Sequence, residues 1–209
     1  MDVIKQLKWR YATKKFDASK TLPEQKLQIL KEAFNLTATS FGLQTISMVV
    51  VEDRYIRQSL VEHAYNQKQV VDASHLLVIC VQTDITDGDI NRYYQNIKAL
   101  RKTADHILEP YRKDLIKFVE KMSVEERLRW STNQAYIALG NLMTVCAIEE
   151  IDSCPMEGFV PATFDKLLGL DKKQLKSVLL LPVGYRAEDD MFSGFKKVRK
   201  NVDDAVIEI

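Results

Sequence analysis

A chain of 209 residues with 46% hydrophobic and 28% charged side chains can bury one substantial core, and this balance excludes a disordered polypeptide. Thirty basic residues stand against 29 acidic ones, so a net charge of +1 gives no broad field for nucleic acid or an anionic membrane, and any anion must be held locally. No apolar signal segment opens the chain, and the longest apolar run, Val178 to Val183, is far too short to cross a bilayer, so a soluble, cytoplasmic protein with a single domain over residues 1–209 is expected.

The first informative segment is Arg10-Tyr11-Ala12-Thr13-Lys14-Lys15-Phe16, which sets three cations among small polar residues. A second cluster, Lys196-Lys197-Val198-Arg199-Lys200, lies near the other end. The planar fork of Arg and the compact charge of Lys suit phosphate oxygens, so the two clusters brought together would hold a nucleotide-like anion. Taken singly, runs of this length are usually solvated surface. Thr21-Leu22-Pro23-Glu24 predicts a helix start, with Thr21 as cap, Pro23 in the first turn and Glu24 closing a capping box. Leu27, Leu30, Ala33 and Phe34 follow at helical spacing.

Thr37 to Gln44, rich in hydroxyls and carrying Gly42, breaks that periodicity and is expected to be a loop or a frayed helix end. Strands are predicted at Ile46–Val51, Leu76–Val81 and Val178–Val183. The last two are continuously apolar rather than alternating, so both faces are buried and helices must cover both sides of the sheet. Between them lie a polar stretch from Asp89 to Met122, exposed or acting as a lid, and Val124 to Glu149, apolar on most faces and therefore central or at an oligomer interface. Phe118, Trp130 and Tyr136 are assigned to core or interface. In Cys154-Pro155-Met156-Glu157-Gly158-Phe159 the Pro fixes a dihedral and the Gly lets backbone N–H groups approach a flat ligand. Ala205 to Ile209 is strand-like and requires another sheet edge, a partner's included.

The three cysteines, Cys80, Cys146 and Cys154, have no CxxC spacing and are expected as reduced thiols. The three histidines, His63, His75 and His106, form no pair at metal-ligand spacing, so no metal is expected, and His75 is assigned to satisfying a backbone group at its strand start. Seven glycines include no GxGxxG or P-loop pattern, so a nucleotide-like cofactor needs another kind of fold.

Arg10 and Lys14 in an Arg-x-x-x-Lys pattern, the hydroxyl-rich segment ending at Gln44, Asp72-Ala73-Ser74-His75, Pro155-Met156-Glu157-Gly158-Phe159 and Lys197-Val198-Arg199 occur in one order. With them the chain, from residue 2 to about 200, resembles the FMN-dependent nitroreductase family, and most of all its oxygen-insensitive NAD(P)H nitroreductase and dihydropteridine reductase branch. The resemblance implies an α+β fold: a nitroreductase-like α/β/α sandwich whose central mixed sheet is completed by the partner's C-terminal strand in an intertwined homodimer, with FMN at each end of the interface.

Carried over by position, Arg10, Lys197 and Arg199 would hold the FMN phosphate, with Tyr11 and Ala12 where the family commonly has His or Arg followed by Ser. Lys14 would sit beside the flavin N1 and C2 carbonyl, where negative charge collects on reduction. Asn66 would bond the pyrimidine edge, with Gln69 next to it where relatives often carry Lys. Thr39, Ser40 and Gln44 would come from the second subunit, although Gly42 replaces a family Asn and Ile46 a family Trp. Pro155, Met156, Glu157 and Gly158 would lie against one flavin face, with the N–H groups of Glu157 and Gly158 toward N5 and O4.

The implied activity is NAD(P)H oxidation by a ping-pong hydride transfer through flavin N5, with no catalytic side chain, and reduction of small electron-poor acceptors such as nitroaromatics, quinones, enones or pteridines. NADH and NADPH stand as equal candidate donors. An FMN-storing or flavin-fragmenting protein is the alternative, and a dimeric interaction protein with a degraded site is a third reading. Neither nucleic acid nor membrane is an expected partner.

Overall fold

The two continuous apolar runs become the central strands, and what covers their faces sets the architecture. In the computed structural model, which describes residues 2–209, the chain runs α1 (Val3–Trp9), α2 (Glu24–Asn35), β1 (Ile46–Val51), α3 (Arg54–Leu60), α4 (Gln69–Asp72), β2 (His75–Gln82), α5 (Asp87–Arg101), α6 (Asp105–Glu120), α7 (Val124–Ile148), β3 (Asp152–Ser153), α8 (Pro161–Leu167), β4 (Leu175–Gly184) and α9 (Val202–Ala205). The strands form one sheet in the order β1-β2-β4-β3. Val78 of β2 faces Val49 of β1 on one side and Leu180 of β4 on the other, and the β2–β4 register shifts between Ile79 and Cys80.

Side chains alternate across a strand, so each central strand supplies two cores. Leu77, Ile79 and Val81 of β2 join Leu179, Leu181 and Val183 of β4 beneath α2 and α7, where Leu27, Leu30, Ala138 and Leu142 close the layer. Leu76, Val78 and Cys80 point the other way and meet Leu60, Val70 and Phe164 from α3, α4 and α8. Helices thus cover both faces, as the unbroken hydrophobicity requires.

Every pair in this sheet is antiparallel, which corrects the expected mixed sheet for the strands of one chain. Continuous apolar strands mark burial on two faces, and burial does not set direction. The sole parallel contacts are an isolated bridge from Ala12 to Ser153 among the described residues.

The start of α2 also differs. Pro23 is the cap residue and no side chain closes the turn, so Thr21 and Glu24 form no capping box. Reciprocal boxes do form at Thr86/Asp89 and Ser123/Glu126, which start α5 and α7. The polar stretch is an α5–α6 hairpin, turned at Lys102 in a left-handed conformation (φ 57°). Helix α7 buries Ala135, Ala138, Leu139, Leu142 and Cys146 while Tyr136 and Ile137 stay about half exposed.

Residues 205–209 are not a strand within this chain. After the single turn of α9, Val206 is extended (φ −120°, ψ 126°) and the segment stays exposed without a ladder. Its apolar pattern pairs with no strand of its own chain. No helix of the described residues is long and apolar enough to cross a membrane.

Candidate functional site

The first cationic segment is laid down beside β3. Arg10 ends α1, Ala12 bridges Ser153, and the Thr13 amide donates to the Ser153 carbonyl at 3.2 Å. The chain returns after β4, and Lys197 donates from Nζ to the carbonyls of Leu7 (3.0 Å) and Arg10. A cation at these carbonyls caps the C-terminal end of α1, where the helix dipole favours positive charge.

The two segments enclose a cleft of about 570 Å³. Arg10, Tyr11, Ala12, Lys14, Pro155, Lys197 and Arg199, all expected from the sequence, line it together with Trp9, Phe192 and Phe195. Six of its lining residues are cations, Lys8, Arg10, Lys14, Lys196, Lys197 and Arg199, and among the described residues no carboxylate lines it. In a chain of net charge +1 this is a strong local concentration. The Arg10 Nε is buried without a hydrogen-bond partner. Burial, and then the neighbouring Arg199, depress the Arg10 pKa; Lys197 is depressed by burial and then by Arg10 and Arg199. Like charges pressed together gain from an anion between them.

Asp190 ties this cleft together. Its Oδ2 accepts from the Tyr11 hydroxyl at 2.7 Å and from the amides of Lys14 and Lys15 at 3.0 and 3.1 Å. Behind it, the Arg186 guanidinium lies between the rings of Trp9 (4.3 Å) and Tyr11 (4.6 Å) and pairs with Asp152.

A second cluster adjoins the Pro155–Gly158 segment. Met156 exchanges backbone bonds with Leu180 at 2.9 and 3.0 Å, so the segment runs along β4, and the Met156 side chain enters the core. Gln67 Nε2 donates to the Gly158 carbonyl at 2.9 Å, and the Val160 amide to the His63 carbonyl at 2.8 Å. A Cβ on Gly158 would lie 3.0 Å from Gln67 Nε2, so only glycine fits without displacement. Asn66 sits exposed in this turn at φ 58°, beside Tyr65 at φ 53°. Gln69 is buried in α4, and Glu157 accepts a bond from the Tyr136 hydroxyl on α7.

Thr39, Ser40 and Gln44 lie elsewhere. The Ser40 amide donates to Gln134 Oε1 on α7 at 2.8 Å, whereas the cleft reaches α7 at Met143, nine residues on and thus roughly 13 Å along the axis. Gln44 is held by its Nε2 on the Asn35 carbonyl (2.8 Å), and its amide donates to Thr39 Oγ1 (3.2 Å). Phe41, left-handed at φ 55°, packs its ring against Phe118 and Trp130 with centroids 5.6 and 6.0 Å away. Gly42, at φ 72°, admits the Tyr93 hydroxyl, which a Cβ would meet at 2.5 Å.

Asp190, Gln67, Trp9 and the Phe192/Phe195 pair are the residues that sequence reasoning missed. A carboxylate that collects backbone amides carries no motif of its own, and Gln67 differs from its polar neighbours only in where the turn aims it. His75 bonds the Ser74 hydroxyl through Nδ1 (2.8 Å) rather than a backbone group, and burial lowers its pKa. The cysteines are unpaired and buried, with burial pushing the Cys80 and Cys146 thiols up to about 12.

The model of the nitroreductase family matches residues 7–185. A Staphylococcus epidermidis protein that bears the name NAD(P)H nitroreductase is 30% identical, over 98% of this chain and 95% of its own. Among solved structures, a Bacillus subtilis protein described as a nitroreductase superposes with a TM-score of 0.88 at 20% identity, covering 99% of this chain and 98% of that one. A nitroreductase-like structure from Exiguobacterium sibiricum, in complex with FMN, superposes with a TM-score of 0.85 at 16% identity over 100% and 98% of the two chains. The match of sequence over nearly the whole chain, on a fold of the same kind, means that the protein belongs to the nitroreductase family, a family of oxidoreductases.

Proposed function

We propose that the protein is a cytoplasmic, homodimeric, FMN-dependent NAD(P)H oxidoreductase that reduces small electron-poor acceptors such as nitroaromatics, quinones, enones or pteridines. The observation that carries this reading is the cleft in which Arg10, Lys14, Lys197 and Arg199 converge with, among the described residues, no lining carboxylate and no partner for the Arg10 Nε. That donor set fits the phosphate of FMN, because an unpartnered buried guanidinium nitrogen gains a charge-assisted bond when a phosphate oxygen arrives. The FMN held by the Exiguobacterium protein and the NAD(P)H in the staphylococcal name support the same cofactor pair here.

In this reading Arg10, Lys197 and Arg199 bind the phosphate, and Tyr11 and Ala12 hold the chain that presents them. Lys14 places an ammonium where negative charge would collect. Asn66 and Gln69 take the pyrimidine edge, and Pro155, Met156, Glu157 and Gly158 provide the backbone along one ring face. FMN held by these residues would supply the hydride-transfer chemistry that links oxidation of NADH or NADPH to reduction of the acceptor, in a ping-pong cycle. Gly158 keeps that face clear of side-chain bulk, and Gln67 fixes its carbonyl.

Thr39, Ser40 and Gln44 complete the site only if a second copy brings them. Exposed Val3, Ile4 and Leu7 on α1, Tyr136 and Ile137 on α7, and Val206, Ile207 and Ile209 at the C-terminus form apolar surface that such a copy would cover. Three unpaired cysteines suit a reducing compartment. The test is the visible spectrum of the purified protein before and after anaerobic addition of NADH and then NADPH. A bound flavin that bleaches supports the reductase and selects its donor; one that stays yellow favours FMN storage or fragmentation; a colourless protein that FMN cannot reconstitute sinks the cofactor.

A further inference from the structure

The cationic cleft is assembled from two segments at opposite ends of the chain, and the second of them has little to hold it. Asp190 is the last buried residue, at 3% exposure, and every residue from Met191 to Ile209 is exposed. Lys197 and Arg199 therefore sit on a stretch that intrachain burial does not fix.

We propose that Asp190 is a positioning residue for the anion cleft: its carboxylate clips the C-terminal segment onto the Arg10–Lys15 segment and so sets the geometry in which the protein recognises a phosphate. This inference rests on the FMN reading above and adds to it the residue that makes the site selective for the phosphorylated flavin.

The geometry divides the work between two oxygens. Oδ2 takes the Tyr11 hydroxyl at 2.7 Å, the Lys14 amide at 3.0 Å and the Lys15 amide at 3.1 Å, all from the N-terminal segment. Oδ1 takes the Phe192 amide at 3.1 Å, capping the 3-10 turn Met191–Gly194 from which the tail departs. One buried carboxylate thus accepts four bonds, and hydrogen bonds to a charged acceptor are the stronger kind. The neighbouring Lys15–Asp189 pair cannot replace it, since both side chains are more than half exposed, at 55% and 69%, and such pairs hold little. The backbone bond from the Ala187 amide to the Lys15 carbonyl (3.0 Å) and the Phe16–Arg186 bridge hold the chain before Asp190 and stop short of the tail, and the cross-link from Lys197 to the carbonyls of Leu7 and Arg10 involves a residue that the anion itself recruits.

Asp190→Asn is the informative change. An amide has one acceptor oxygen, so its NH2 must face either the three donors of the N-terminal segment or the Phe192 N–H. Either way one clip opens while the volume stays the same. The experiment titrates full-length, flavin-stripped wild type and variant with FMN and with riboflavin, which shares the ring system but lacks the phosphate, and follows flavin fluorescence. Wild type binding FMN more tightly than riboflavin, with D190N losing about tenfold for FMN and distinctly less for riboflavin, whose ring still meets Lys14, is the expected result. A variant that weakens both flavins alike, or neither, overturns the proposal. Should D190N fail to fold, Tyr11→Phe removes one of the four bonds and leaves the backbone amides in place; an FMN-selective loss of severalfold then supports the clip, and an unchanged FMN-to-riboflavin ratio overturns it. A wild type that binds neither flavin would instead refute the cofactor assignment itself, an outcome separable from the behaviour of the variants.

Discussion

The chain up to Asp190 and the chain after it are stabilised differently. In β2 every residue except Gln82 is buried, and the strand lies between two hydrophobic clusters. Beyond Asp190 no residue is buried, yet two of the three cations assigned to the phosphate are there. Stability belongs to the sheet and its helical covers, whereas the proposed anion recognition depends on a segment pinned by a few polar contacts. Changes in one region should therefore leave the other largely intact.

The largest effect is expected in the body. Phe164 is fully buried and its ring stacks edge-on to Phe159 at 4.8 Å, so Phe164→Ala should cost about 3–5 kcal/mol in urea unfolding. If the flavin site is separable, the folded fraction should keep its FMN affinity. Conversely, Lys197→Ala removes a charge-assisted contact and should weaken FMN binding by about 1.5–3 kcal/mol with little change in the unfolding midpoint. Equal loss in both assays would erase the distinction between the regions.

Two glycines sharpen it further. Gly42→Ala meets both a left-handed backbone (φ 72°) and the Tyr93 hydroxyl at 2.5 Å, and should cost about 1–3 kcal/mol by thermal melting. Gly194, in the tail, has nothing within 4 Å of an added Cβ, so Gly194→Ala should stay within about 0.5 kcal/mol of wild type.

The smallest effects separate the regions by pH. Burial lowers the pKa of His75 in β2, so below its ordinary value of 6.5 the unfolded chain takes up a proton that the folded one refuses, and stability declines as pH falls from there. Burial pushes the Asp190 carboxyl upward, but its bonds from Tyr11, Lys15, Lys14 and Phe192 outweigh this and hold it below 3.8. Its contribution is complete above 3.8 and is lost as pH falls through the lower, folded value. Unfolding midpoints against pH should lose the upper window in His75→Gln and the lower one in Asp190→Asn.

Much of the fold was legible because burial writes itself into composition. The runs at Leu76–Val81 and Val178–Val183 read as strands covered on both faces, and they are. The α2 stripe at Leu27 and Leu30 faces the core as its spacing requires. Strand direction was not legible, since antiparallel β2 and β4 are as apolar as parallel strands would be. Two-residue β3 has no pattern of its own and exists because β4 offers an edge.

Of the candidate site, the residues Arg10, Tyr11, Ala12, Lys14, Pro155, Lys197 and Arg199 were identifiable from charge and resemblance, and they share one cleft. Thr39, Ser40 and Gln44 do not join it within one chain. What the amino-acid sequence determined by itself was local: which segments are apolar enough to be buried, which turns need glycine, and which residues carry the charge. The tertiary structure decided the juxtapositions. Asp190 became a clip, Gln67 a bracket on Gly158, and Arg186 a guanidinium held between two rings, because folding places donors and acceptors from distant segments within hydrogen-bond reach. Such bonds depend on distance and direction in space, and neither is encoded at any one position along the chain.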